Sequence, residues 1–132
     1  GAPSFRARHV GPPGSPIEPG SPLTQLVPQL LLQGDEVVFE KTRPNAFVNT
    51  ALADHLRACG VEGVVVSGMK TQYCVDSTCR AARDMGFEAV LIADGHTCSD
   101  TPALKADAII AHHNTTLAGA FCRVLRAEDW HF

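Results

Sequence analysis

Apolar residues in this chain fall in short unbroken runs more often than in alternation. Val37-Val38-Phe39, Val64-Val65-Val66 and Ala89-Val90-Leu91-Ile92-Ala93 are each bounded by charge or glycine. Runs of that length and β-branched content predict strands buried on both faces. The strands are placed at Glu36–Lys41, Val61–Ser67, Glu88–Ala93 and Phe121–Leu125, with a further strand tail at Ser4–Val10. Between them the apolar period lengthens to that of a helix. One helix follows a cap at Asn49 or Thr50 and runs to Cys59, with Leu52, Leu56 and Cys59 on its inner face and Gly60 beyond its end. A second runs from Cys74 to Met85, with Val75, Cys79, Ala82 and Met85 inward and Gly86 as its stop. A third starts near Pro102 and reaches about Leu117. A short helix is also expected at Leu23–Leu30. Strands alternating with helices predict an α/β fold with a mainly parallel sheet covered on both faces, a three-layer α/β/α sandwich of the doubly wound, Rossmann-like kind.

Composition narrows this picture. Six of the nine prolines lie within residues 1–22, so Gly11–Pro22 is a loop. With 132 residues and 45% hydrophobic content, residues 1–132 form one domain. The net charge of -3, without a block of like charge, gives no reason to expect nucleic acid or an anionic membrane as partner. No apolar run approaches the ~20 residues of a membrane span. Five cysteines without framework spacing favour a reducing compartment, the cytoplasm. No cysteine or histidine spacing suggests a metal, and no cofactor is expected.

In parallel sheets, ligands bind beyond the carboxyl ends of the strands. Lys41, the turn Gly68–Cys74 and the loop Asp94–Cys98 all follow predicted strands and so share that edge. Cys74 stands at or near a helix start, where the dipole favours a thiolate. A lysine and such a cysteine on one edge make a candidate nucleophilic site.

The residues Lys41-Thr42-Arg43-Pro44-Asn45-Ala46-Phe47, Val64–Gly68, Thr71-Gln72-Tyr73-Cys74-Val75, Ala93-Asp94-Gly95 and Ile109–Asn114 keep order and spacing that resemble the isochorismatase-like cysteine hydrolase superfamily. The resemblance runs from about Phe5 to the C-terminus. It implies a six-stranded parallel sheet and a triad of cysteine, lysine and aspartate, with Cys74 as nucleophile and Lys41 as the lysine. It also implies a non-proline cis peptide at Lys70-Thr71, which would turn backbone N–H groups of the Lys70–Thr71 segment, with that of Cys74, into an oxyanion hole. His9, Phe47 and Tyr73 would line the substrate pocket. The family's aspartate lies on an apolar strand followed by Asp-x-Gln. No such segment is present, so the domain is expected to be N-terminally incomplete, short of a strand and a helix. Asp94 and Asp100 share the functional edge, but no motif promotes either to the missing role.

The implied activity is hydrolysis of a C–N bond in a small amide, cyclic amide or related substrate through a Cys74 thioester, in a homodimer or larger homo-oligomer. A nicotinamide substrate and a metal are disfavoured, because His9 is the only histidine before Gly34 and a Trp-Pro-x-His-Cys run is lacking. Isochorismate is also disfavoured, since hydrolysis of its vinyl ether needs no cysteine. Two rivals use the same residues. Cys74 to Arg80 formally fits the C-x5-R loop of cysteine phosphatases, although Asp76 would repel a phosphate. Alternatively, the chain is a catalytically incomplete relative that serves binding or assembly.

Overall fold

The computed structural model describes residues 2–132. Five strands and three α-helices follow one another as β1 Phe5–His9, β2 Val37–Lys41, α1 Leu52–Ala58, β3 Gly63–Met69, α2 Asp76–Asp84, β4 Glu88–Thr97, α3 Ala106–Leu117 and β5 Arg123–Leu125. All pairing is parallel. The α/β class predicted from the apolar runs is therefore the one found.

The single sheet expected is instead two sheets among the described residues, β1–β2 and β3–β4–β5. No ladder joins β1 to β3. The halves are held by side chains: Phe5 and Phe39 from one and Val64 and Val66 from the other pack against a common buried cluster that includes Leu52, Leu56, Val75, Cys79, Ala82, Leu91 and Leu117. β4 is the centre of this arrangement, with Ala89, Val90, Leu91 and Ile92 all buried, so both its faces are covered.

Helices α1 and α2 stop by the same device. Gly86 takes φ +88°, its N–H bonds the Arg83 carbonyl, and the Phe87 N–H bonds that of Ala82. Gly60 and Val61 repeat this with Arg57 and Leu56. These are Schellman closures, available at low cost because glycine accepts a left-handed backbone.

Other expectations are corrected. Leu23–Leu30 is not a helix; only a 3-10 turn, Pro22–Thr24, forms there. Pro28 withholds an amide and biases Val27 away from helical backbone, and the leucines beyond it are exposed. Helix α3 starts at Ala106 rather than near Pro102, because Thr101 and Leu104 close a turn on each other and Asp100 accepts the Ala106 N–H at 2.9 Å. Cys59 is exposed at the end of α1 instead of in the core, and Met85 is partly exposed. Asp94–Thr97, expected in a loop, belongs to β4. Between Val66↔Leu91 and Gly68↔His96 the register slips, so β4 bulges at Ile92–Gly95 and then pairs again. No helix among the described residues is long and apolar enough to cross a membrane.

Candidate active site

Strand β2 ends on Lys41, whose neighbour across the ladder is His9, the last residue of β1. A parallel register points these two side chains the same way. Lys41 is 4% exposed. Its ammonium lies 2.8 Å from the Arg43 carbonyl, 3.2 Å from the Pro44 carbonyl and 3.0 Å from His9 Nδ1. It also lies 3.1 Å from Cys74 Sγ. Lysine has only donors, so His9 Nδ1 must accept and its ring proton sits on Nε2. Burial, then the charges of Lys41 and Arg43, hold His9 below its ordinary 6.5.

Cys74 comes from the other sheet. β3 ends at Met69, passing Gly68 at φ +120°, a backbone that side-chain-bearing residues rarely adopt. A single wide turn, Thr71–Val75, then precedes α2, and the Lys70 carbonyl accepts from both Tyr73 N and Val75 N. Cys74 is thus inside a π turn ahead of the helix rather than at the first residue of α2. Thr71 and Gln72 open this turn, where amides have no intrahelical acceptor.

The cis peptide lies at Met69-Lys70, one residue before the Lys70-Thr71 bond that the resemblance implied. The Lys70 carbonyl already serves the turn, so the Lys70-Thr71 unit belongs to the helical path and the non-helical link precedes it.

Tyr73 is 54% exposed beside Cys74. Phe47 stacks on Phe87 at 6.0 Å and packs against the core. The structure thus brings His9, Lys41 and Cys74 into contact, with Cys74 carried by the turn that follows Lys70 and with Tyr73 its exposed neighbour in sequence. Val10 and Thr42, which follow His9 and Lys41, join Gly11, Pro12, Pro13 and Pro19 around an apolar cavity of about 360 Å³.

The other thiols differ. Cys79 is fully buried, and its hydrogen bond to Cys122, with burial, pushes its thiol well up. That leaves it a packing group. Cys98 makes only a long contact, 3.8 Å, to the Ala106 carbonyl. Asp94 binds the Ala127 N–H and Arg126, and Asp100 binds Lys105 and the Ala106 N–H, so both are occupied structurally. Among the described residues no carboxylate contacts Lys41 Nζ or Cys74 Sγ, and no group of three His, Cys, Asp or Glu side chains is set to hold a metal.

The lysine and the sulfur thus meet at the edge of a parallel α/β fold. Residues 2–129 match the Isochorismatase domain. This chain belongs to the isochorismatase family. It is 25% identical over 129 residues to the secreted isochorismatase effector Isc1 of Verticillium dahliae, covering 97% of this chain and 68% of that protein. It is 36% identical to the ureidoacrylate amidohydrolase RutB of Variovorax paradoxus, across 53% of this chain and 28% of that enzyme. An isochorismatase of Pseudomonas putida KT2440 superposes with a TM-score of 0.88 at 28% identity, over 98% of this chain and 69% of that one. The chain therefore spans between about a quarter and about two thirds of these relatives' lengths.

Sequence reasoning missed His96. It sits beyond the β4 bulge, in the segment that the sequence predicts as loop, and its side chain meets Thr71 of the Cys74 turn at 2.8 Å. The glycine in Asp94-Gly95-His96 was the available signal, because an isolated glycine after a strand run often marks a bulge.

Proposed function

We propose that this isochorismatase-family chain carries the cysteine half of a hydrolase acting on C–N bonds of small amides, cyclic amides or ureido compounds. The 3.1 Å contact between Lys41 Nζ and Cys74 Sγ carries this reading, and the amidohydrolase relative supports the bond class. An ammonium this close, in a buried setting, can hold a sulfur anion in place. The sulfur would bond to the carbonyl carbon, and the oxygen charge would be taken by amide N–H groups of the Thr71–Cys74 turn. Such donors are each worth ~3–4 kcal/mol. The C–N bond then breaks, the nitrogen leaves with a proton, and water returns the acyl group as acid while the sulfur regains its partner. The proton-carrying carboxylate that the family resemblance implies is not among the groups in contact with Lys41 Nζ or Cys74 Sγ in the described residues. The apolar cavity lined by Val10 and Thr42, the residues after His9 and Lys41, suits the hydrocarbon part of such a substrate.

The name of the fungal relative makes isochorismate the second substrate to test. Ammonia or amine release should be followed for ureidoacrylate and simple primary amides, and pyruvate release for isochorismate, using the intact protein and its Cys74→Ala variant. We expect amide turnover to fall by about a thousandfold or more in the variant. Unchanged amide turnover would remove Cys74 from the mechanism. Isochorismate cleavage that survives the substitution, without any amide cleavage, would replace the proposed substrate class. A homodimer or larger assembly is proposed as well, and sedimentation of the intact protein as a monomer would reject it.

A further inference from the structure

Thr71 opens the Cys74 turn with its side chain completely buried, and His96, its partner, is 6% exposed. Three side chains form a chain here. Thr71 Oγ1 lies 2.8 Å from His96 Nδ1, and His96 Nε2 lies 2.8 Å from Asn114 Oδ1. Asn114 Nδ2 donates to the Ala93 carbonyl at 3.1 Å. The direction of each bond follows from its far end. A carbonyl only accepts, so the Asn114 amide nitrogen faces Ala93 and its oxygen faces His96. Nε2 must then donate. In the neutral ring Nδ1 is bare and accepts the Thr71 hydroxyl proton. Each of the three donor atoms in the chain has an acceptor, and each link points away from the cysteine turn into β4 and α3.

We infer that His96, held by Asn114, is a positioning residue that fixes the Thr71–Val75 turn through the Thr71 hydroxyl and so keeps Cys74 Sγ beside Lys41 Nζ. The inference rests on the reading of Cys74 as the nucleophile. Geometry favours it over a role confined to stability. The bond is made at the first residue of the turn, three positions from Cys74, by a residue that only the β4 bulge brings within reach. The opposite wall of the site, Lys41, is anchored independently by the Arg43 and Pro44 carbonyls. A slack turn would therefore move the sulfur while the ammonium stayed.

The test reads Cys74 without requiring turnover. Iodoacetamide alkylation of the intact protein at neutral pH is followed for each cysteine by mass spectrometry, with the exposed Cys59 as internal reference. Thr71→Val removes the hydroxyl and keeps the shape, and Thr71→Ser restores the hydroxyl. We expect Thr71→Val and His96→Ala to slow Cys74 alkylation by about tenfold relative to Cys59, and Thr71→Ser to recover most of that loss. A Thr71→Val protein whose Cys74 reacts within about twofold of the parent, or a Thr71→Ser protein no better than Thr71→Val, would overturn the inference. If those variants fail to fold, nitrogen NMR of His96 in the parent protein decides instead. A proton on Nε2 with Nδ1 bare supports the chain as drawn, and the reverse tautomer refutes it. Cys74 that responds to Thr71→Val in a protein without amide turnover would sink the hydrolase reading and leave the positioning role standing.

Discussion

The two sheets that meet at this site are built differently. β4, at the centre of the three-stranded sheet, buries four consecutive residues, Ala89 to Ile92. β1 and β2 keep much of their surface in water: Val37 and Val38 are each 40% exposed. Ion pairs dress the two-stranded sheet, Arg8 with Glu40 at 3.6 Å and Arg6 with Glu36 at 3.8 Å. One half thus buries a whole strand, while the other adds to its ladder and charges the packing of Phe5 and Phe39 on the shared cluster and the buried end of one lysine side chain. The contact between Lys41 and Cys74 joins these two halves, which places the burden of its alignment on Lys41 and on the turn that carries Cys74.

This contrast can be broken most forcefully in the core. Leu91→Ala should cost ~2–5 kcal/mol, the usual price of a cavity at a fully buried leucine, whereas Val38→Ala on β2 should change stability by less than about 0.5 kcal/mol. Denaturant midpoints of the two variants measure this, and equal losses would show β2 to be as firmly packed as β4. Next comes the contact between the halves. Lys41→Met keeps the buried stem and removes the ammonium, so Cys74 alkylation at neutral pH should slow by about tenfold. An unchanged rate would mean that the two sheets do not cooperate at the sulfur.

The smallest effect concerns His9. Its folded value is depressed below 6.5 by burial, Lys41 and Arg43. The unfolded chain therefore takes up the proton first as pH falls. Stability contributed by a neutral His9 is complete above 6.5 and is lost as pH drops from there toward the depressed folded value. Glu36, Asp94 and Asp100 are also held low, by backbone N–H groups at Gln33 and Ala127 and by Lys105 respectively. Their stabilising share disappears only below their ordinary 4.5, 3.8 and 3.8, clear of the His9 window. A thermal midpoint that declines modestly just below pH 6.5 in the parent, and less so in His9→Gln, is expected. Identical declines in both proteins would detach His9 from the buried Lys41 network.

Much of this was legible beforehand. Unbroken apolar runs separated by helical periods are a local signal, and they located β2, β3 and β4 to within a few residues at each end, with α1 and α2 between them. Lys41 was legible because its strand-end position is local; Cys74 was placed near a helix start and lies in the turn just before α2. Exposure was less so. Cys59 was placed inward by its spacing from Leu52 and Leu56, yet it ends α1, where the chain turns away and the face it shares no longer has a partner. Ser21 and Pro22 cap and open a turn as their types predict, but Pro28 ends any helical path within Leu23–Leu30, so only the 3-10 turn Pro22–Thr24 forms.

By itself, then, the sequence determined the alternation of strand and helix, the glycine stops of α1 and α2, and the pair of chemical groups worth watching. Each of these depends on residues within a turn or two of one another. Only the tertiary structure decided that Lys41 and Cys74, 33 positions apart, stand 3.1 Å from each other. It alone decided that the cis link is Met69-Lys70, and that a bulge in β4 carries His96 to Thr71 across 25 positions. Such contacts are set by register and packing between elements, and no local pattern of side chains encodes the offset at which two strands meet.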